Sequence, residues 1–353
     1  MRENFLWEGE LDTALPEKIY IEPTDMCNLN CSICFRHGWI NEEAGMMDMP
    51  VFLKLCEELS NLPSVKEVFF GGMGEPLIHE SIAEMVRTVP QHLKKTLITN
   101  GNLLNEEMTL KLISAGLSEL WISLDGFAAS KSEGIQTGTS FSDVIQNIEA
   151  FNRIRSGKDI RLCISMVVSD DNVSELSKID DFADEYGIDM INVSHQIPGS
   201  PVFESNTDDT DAYGGSLANL RFPVGKMRRL RKGVYNPVED ICPFIDSNAV
   251  FIKWNGDVVP CMQLLHSCHT YLYEEERTIT SFSYGNIHEK PLLDCWNDTD
   301  YSHFRKRVRE FYFPFCRHCT GCEDRKGNLS DCFLTESPAC GACLWASGRV
   351  FCP

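Results

Sequence analysis

The chain has no apolar run long enough to span a bilayer. Its opening residues, MRENFLWEGELDTALPEK, lack the basic start, apolar centre and small-residue cleavage site of a secretory signal. No membrane partner is expected, and a cytoplasmic location is. Cations are scarce: 32 lysines and arginines stand against 52 aspartates and glutamates, for a net charge of −20. Nonspecific nucleic-acid binding needs a cationic face, so no nucleic-acid partner is expected. Solenoid-type repeats are missing as well. What the chain has in excess is cysteine, sixteen residues in 353. In a secreted miniprotein that would be a disulfide framework. A chain of this length, 43% hydrophobic and 24% charged, buries an ordinary core without such staples. The cysteines come in C-x2-C and C-x3-C steps, which bring several thiolates around one metal centre. A reducing compartment and bound metal follow.

Between residues 18 and 196 short apolar runs alternate with amphipathic stretches. Strands are expected at 18–24, 65–72, 94–101, 118–126, 159–169 and 188–196, and helices at 50–62 and near 78–90, 105–116, 141–155 and 172–187. Repeats of about 30 residues are the βαβ unit, which makes the strands parallel and the crossovers right-handed. Six of them leave open a barrel that eight would close. The expected fold class is therefore α/β, a partial (β/α)6 barrel followed by a cysteine-rich, metal-binding domain. The boundaries read as 1–17 for an N-terminal extension, 18–200 for the barrel, 201–240 for a linker and 241–353 for the cysteine-rich domain. The linker is acidic and rich in turn formers, apart from the basic stretch KMRRLRK at 226–232, which reads first as a solvated helix face. From Cys242 onward helical periodicity nearly vanishes while eleven of the sixteen cysteines appear. Metal is expected to supply much of the stability there.

The first strand runs into Asp25-Met-Cys-Asn-Leu-Asn-Cys-Ser-Ile-Cys-Phe35. Cys27, Cys31 and Cys34 thus sit at the C-terminal end of a barrel strand, where such folds place their chemistry. Three thiolates satisfy three irons of a cubane and leave one open. Three cysteines alone leave a zinc site, with His37 as fourth ligand, as an equal alternative. The next strand ends narrow that choice. They read Phe70-Gly-Gly-Met-Gly-Glu-Pro76, Thr99-Asn-Gly101 and Ser123-Leu-Asp-Gly126, so polar or glycine-rich loops line the same rim in order.

CNLNCSICF, GGMGEP, TNG and SLDG together resemble the radical S-adenosylmethionine superfamily over residues 18 to about 196. The resemblance implies that Cys27, Cys31 and Cys34 ligate a 4Fe–4S cluster whose free iron is chelated by the methionine end of S-adenosylmethionine. It implies that Phe35 lies by the adenine, that Glu75 holds the amino group where Gly72 and Gly74 let the cofactor approach closely, that Asn100 lines the site, and that Ser123 and Asp125 meet the ribose. Reductive cleavage would give a 5′-deoxyadenosyl radical that abstracts a substrate hydrogen. Met73 is an extra residue relative to the tighter GGEP of the superfamily. No catalytic acid or hydrogen donor beyond the cluster is singled out. Asp25, Arg36, His37, Asn172 and His195 read as rim residues without an assigned role.

The tail opens with Cys242, Gly256 and Cys261, then carries Cys316, Cys319, Cys322, Cys332, Cys340, Cys343 and Cys352. This resembles the SPASM extension, which implies auxiliary 4Fe–4S clusters. Nine cysteines, with Cys268 and Cys295 set aside, suffice for two four-thiolate clusters and one spare. The spacing departs from the usual pattern after Cys319, which leaves the allocation open, and C-x2-C pairs also build zinc ribbons. Cys56 and Cys163 read as buried hydrophobes.

CGACLWASGRVFCP and CNLNCSICFRHGW resemble the radical maturases associated with tungsten-dependent aldehyde oxidoreductases. That resemblance implies action on a tungsten–pterin cofactor or its host enzyme, with a ferredoxin or flavodoxin as electron donor. A peptide- or protein-modifying maturase is the alternative within the class; the short stretch before the first strand favours the cofactor reading. A noncatalytic iron–sulfur or zinc protein, for electron transfer or redox sensing, is the alternative outside it.

Overall fold

The computed structural model describes residues 11–169, 171–197, 241–272, 275–314, 316, 319, 321–335, 338–346, 350, 352 and 353. The linker 201–240 with its KMRRLRK stretch lies outside the described residues.

Six short strands, β1 (Lys18–Ile21), β2 (Glu67–Phe70), β3 (Lys94–Thr99), β4 (Glu119–Ser123), β5 (Arg161–Val168) and β6 (Met190–His195), lie parallel in the order β6-β5-β4-β3-β2-β1. The crossovers carry α1 (Met49–Ser60), α2 (Ile82–Thr88), α3 (Glu106–Ser114), α4 (Ala129–Ile135), α5 (Phe141–Arg155) and α6 (Ile179–Glu185). Local sequence starts these helices: Pro50 occupies the first turn of α1, as expected, and the Asn105 side chain caps α3 by accepting from Met108 N–H at 2.9 Å. The expected helix at 172–187 opens as a 3-10 turn, Val173–Lys178, and α4 was not expected.

Alternation along each strand divides the side chains between two cores. Ile19, Val68, Leu120 and Ile164 pack outward among Phe52, Leu112 and Phe151 of the helices. Tyr20, Phe69, Trp121 and Cys163 point to the concave side and pack with tail residues such as Phe251, Leu344 and Trp345. Tyr20 stacks on Phe251 at 4.3 Å. The inward positions at the strand starts hold alternating charges, Lys18, Glu67, Lys94, Glu119 and Arg161. Lys94 stands 3.2 Å from Glu67 and 3.1 Å from Glu119, Lys18 lies 3.8 Å from Glu67, and Arg161 pairs with Glu119. This ladder floors the barrel, and the Pro353 carbonyl accepts from Tyr20 Oη at 2.8 Å and Lys18 Nζ at 3.2 Å.

The sheet extends beyond six strands. After α7 (Pro243–Asp246), β7 (Ala249–Ile252) pairs parallel with β1, and β8 (Val258–Val259) pairs antiparallel with β7. The cysteine-rich segment therefore supplies two strands of the barrel sheet, too short to show a period in sequence. It also forms the hairpin β9 (Cys268–Leu272) and β10 (Glu275–Ile279), then α8 (Leu292–Trp296) and α9 (Thr299–Arg309). Helical periodicity is thus present in this segment: Tyr301, Phe304, Arg305 and Val308 share the buried face of α9. Arg305 is fully buried, lies 3.9 Å from the Trp296 ring and donates to the Trp296 carbonyl at 2.6 Å. Among the described residues no helix is long and apolar enough to cross a membrane.

Candidate functional site

Cys27, Cys31 and Cys34 occupy the loop after β1, each half-buried. Burial pushes the Cys31 thiol up to about 12, helped by Cys34, Asp125 and Cys27. Burial raises Cys34 as well, with Cys27 and Asp125 adding to it. Cys27, Cys31, Cys34 and the Asp125 carboxylate face a common space. The chemistry of that donor set fits a cubane: soft sulfurs, each free for a different iron, whose positive charge would release the protons that burial retains on Cys31 and Cys34. His37 does not join them. Its Nε2 donates to the Cys31 carbonyl at 2.9 Å.

The other rim loops close on this one. Glu75 N–H donates to the Met26 carbonyl at 2.7 Å. A Cβ at Gly74 would stand 2.3 Å from the Thr24 carbonyl oxygen, so only glycine permits the approach. The buried Glu75 carboxylate accepts from Leu77 N–H (2.9 Å), Thr99 Oγ1 (2.8 Å) and Asn100 N–H (2.7 Å). Burial nevertheless pushes it up to about 7. Three donors leave room for one more on a carboxylate. Asn100 Nδ2 lies 3.9 Å from Cys27 Sγ and 2.8 Å from Asn28 Oδ1. Asp125 is likewise pushed up by burial to about 7, although it accepts from Val167 N–H at 2.8 Å. The Ser123 carbonyl accepts from Gln136 Nε2 at 2.9 Å. Phe35 opens the 3-10 turn Phe35–Gly38, and His195 closes β6.

Asn172 gains a role that the sequence did not give it. Its side chain donates to the Asp125 and Val167 carbonyls at 2.8 and 2.7 Å and accepts from Ser169 N–H at 2.8 Å, tying the ends of β4 and β5. A second group also escaped the sequence reading. Buried His266 places Nε2 3.0 Å from Glu22 and Nδ1 2.9 Å from Glu42, whose carboxylate also takes Lys253 Nζ at 2.9 Å. Glu22 in turn accepts from Met73 N–H, in the glycine-rich loop, at 3.0 Å. Trp39 stacks on His266 at 4.2 Å and bridges to Cys268. The signal available was Glu22 itself, just past β1 and two residues after inward-facing Tyr20.

The tail cysteines fall into two groups. Cys242, Cys261, Cys340 and Cys343 line one cavity with Phe304 and Trp345. Burial pushes Cys242 up to about 12, with Cys343 adding, and raises Cys261 and Cys340 well above the ordinary thiol value, with Cys343 and Cys242 adding to both. Cys316, Cys319, Cys322 and Cys332 form the second group: burial lifts Cys316 to about 11, with Cys319, Cys332 and Cys322 contributing. Cys352 stands apart, its sulfur accepting from Trp345 Nε1 at 3.2 Å. Among the described residues no three His, Cys, Asp or Glu side chains converge tightly on a point for a single ion, whereas a cubane takes one thiolate per iron and spreads its ligands. Cys56, Cys163, Cys268 and Cys295 are buried in the apolar cores.

A family model described as the radical SAM superfamily matches residues 21–197, half of the chain, and one described as an iron–sulfur cluster-binding domain, SPASM, matches residues 242–322. The chain is 29% identical to the tungsten-containing aldehyde ferredoxin oxidoreductase cofactor-modifying protein of Pyrococcus furiosus, over 95% of this chain and 96% of that one. It is 24% identical to the AdoMet-dependent heme synthase of Methanosarcina barkeri, over 93% and 97% of the two chains. Streptococcus suis SuiB, solved with S-adenosylmethionine, shares the fold with a TM-score of 0.63 at 19% identity, over 91% of this chain and 73% of that one.

Proposed function

The chain belongs to the radical S-adenosylmethionine superfamily, and we propose that it is a maturase acting on the cofactor of a tungsten-containing oxidoreductase or on its host protein. It is an enzyme with S-adenosylmethionine and a 4Fe–4S cluster as cofactors and with auxiliary clusters in its SPASM region. When bound, the reduced cluster supplies the electron that cleaves the sulfonium S–C5′ bond, giving the 5′-deoxyadenosyl radical that takes a substrate hydrogen. The reading of the substrate rests on one observation: similarity to the Pyrococcus furiosus cofactor-modifying protein runs through both the barrel and the cysteine-rich tail.

Each side chain has a task in this reading. Cys27, Cys31 and Cys34 hold the radical-site cluster. Gly72 and Gly74 keep the loop thin enough for close approach, and Glu75 uses its remaining acceptor position on the ammonium group. Asn100 orients Asn28 and the Cys27 sulfur; Ser123 and Asp125 meet the ribose, and Phe35 the adenine. Cys242, Cys261, Cys340 and Cys343 hold one auxiliary cluster, Cys316, Cys319, Cys322 and Cys332 the other, and Cys352 is the spare thiol. The domain division 18–200 and 241–353 follows this division of labour, with β7 and β8 as the seam. A ferredoxin or flavodoxin supplies the electron.

The test is anaerobic reconstitution, followed by assay of iron, sulfide and 5′-deoxyadenosine after reduction with S-adenosylmethionine present. Incubation with the tungsten oxidoreductase in its unmodified form should raise deoxyadenosine formation and change the pterin's mass. Cleavage that ignores the oxidoreductase but responds to a peptide would move the substrate assignment. Zinc in place of iron, without cleavage, would end the radical reading.

A further inference from the structure

The two four-cysteine groups of the tail lie back to back. Cys316 N–H donates to the Gly341 carbonyl at 3.2 Å, and a Cβ on Gly341 would stand 2.3 Å from the Pro314 carbonyl oxygen and 2.7 Å from Cys316 Sγ. Glycine alone lets the Cys340–Cys343 turn lie against the start of the other group. Arg277, on β10, is buried at this junction with 3% of its surface exposed.

Its guanidinium donates to three backbone carbonyls: Arg325 from Nε at 2.7 Å, Ala342 from Nη1 at 3.2 Å and Gly327 from Nη2 at 3.4 Å. Ala342 adjoins Cys343, while Arg325 and Gly327 lie between Cys322 and Cys332. The fork therefore joins both ligand loops. Among the described residues no carboxylate stands within ion-pair distance of Arg277. The neighbouring Arg325 is paired instead, its Nη2 2.6 Å from Glu275. Carbonyls satisfy N–H groups but leave the net charge, and a buried charge without a counter-charge is costly. Burial weakens the hold of Arg277 on its proton and Arg325 opposes it; Cys343 and Cys316 are the groups that most strengthen it.

We propose that Arg277 is the shared counter-cation of the two auxiliary iron–sulfur clusters, raising the reduction potential of both. The proposal rests on the two ligand sets assigned above. A four-thiolate cubane is an anion that gains a further negative charge on reduction, so a fixed cation beside it favours the reduced form. One guanidinium between two such anions acts on both at once.

The experiment compares wild type, Arg277→Gln and Arg277→Lys as full-length reconstituted enzymes, by iron content and by redox titration followed by electron paramagnetic resonance. In Arg277→Gln both auxiliary signals should move to more negative potential by at least a tenfold change in the one-electron reduction constant, about 59 mV. The Cys27–Cys31–Cys34 signal should stay in place, and Arg277→Lys should keep the auxiliary potentials near wild type. Loss of auxiliary iron in the glutamine variant but not in the lysine variant supports the same role, because charge is then what the clusters need. Unmoved potentials in a fully loaded glutamine variant would overturn it. So would equal loss of auxiliary iron in both variants, since the hydrogen-bonding fork rather than the charge would then matter. A wild-type protein that never loads two auxiliary clusters would overturn the ligand assignment first, and this proposal with it.

Discussion

Trp254 donates its indole N–H to Asp25 Oδ2 at 3.0 Å. Asp25 is fully buried, its other oxygen accepts from Gly45 N–H at 2.8 Å, and it lies two residues before Cys27. The turn between β7 and β8 thus holds the root of the first cysteine loop, so the tail and the barrel mouth are one mechanical unit.

Trp254→Phe keeps an aromatic ring and deletes the donor. A buried carboxylate short of one partner costs about 1–3 kcal/mol. Denaturant unfolding of the loaded enzyme should show that loss. A chelator should strip the radical-site iron from the variant faster than from wild type while auxiliary iron leaves at an unchanged rate. Equal rates at every site would mean that the hydrogen bond does not steady the loop.

Glu75 offers a pH test. Its ordinary value is 4.5 and burial lifts it to about 7, so the folded protein binds this proton more tightly than the unfolded chain. Without ligand, its contribution to stability is complete below about 4.5 and is lost as pH rises toward 7. An ammonium group beside the carboxylate favours the opposite charge state. Calorimetry should therefore show S-adenosylmethionine affinity falling as pH drops below about 7, and Glu75→Gln binding weakly with that slope removed. The same slope in the variant would place the titrating group elsewhere.

His266 sits between two carboxylates. Burial disfavours its charged form, but the bonds to Glu22 and Glu42 outweigh it and raise its pKa above the ordinary 6.5. Its stabilising contribution is therefore complete below about 6.5 and declines as pH rises through the raised value. His266→Gln removes one partner of a buried pair, at a cost of about 3–5 kcal/mol. Unfolding curves at several pH values should show the variant less stable and without this component of the pH slope. Weaker S-adenosylmethionine binding is also expected, because Glu22 holds the Met73 N–H.

The two tail sets can be told apart by subtraction. Cys340→Ser and Cys332→Ser should each remove about four irons from a total of about twelve, with different clusters lost in each, and Cys352→Ser should retain all of them. Loss of iron from Cys352→Ser would reassign the spare thiol.

The barrel and its mouth were legible because their signals are local. Strand alternation at Ile19–Tyr20–Ile21 and C-x3-C-x2-C at Cys27–Cys34 are written within a few residues. The allocation of the tail cysteines was not, because Cys340 and Cys343 return to Cys242 and Cys261 across about a hundred residues of chain. Strand β7 was missed for the same reason: four apolar residues, AVFI, acquire a meaning only beside β1. Asn172 and His266 work through partners on other elements, Asp125 for one and Glu22 with Glu42 for the other. The buried face of α9 was readable at its own spacing, but the density of cysteines around it drew the reading toward metal.

The pairing of β7 with β1 also has a history in time. Strand β1 leaves the ribosome well before β7, and the Asp25–Trp254 bond closes over 229 residues. At about 5–20 residues per second, that interval is roughly ten to fifty seconds. Throughout it the nascent barrel presents an unpaired strand edge, and an early cysteine loop without its clamp. Iron delivered before the tail emerges would meet three thiols on an untethered segment. Slow translation or early truncation should therefore show first as aggregation and poor metal loading, with the chemistry of any finished molecule unchanged.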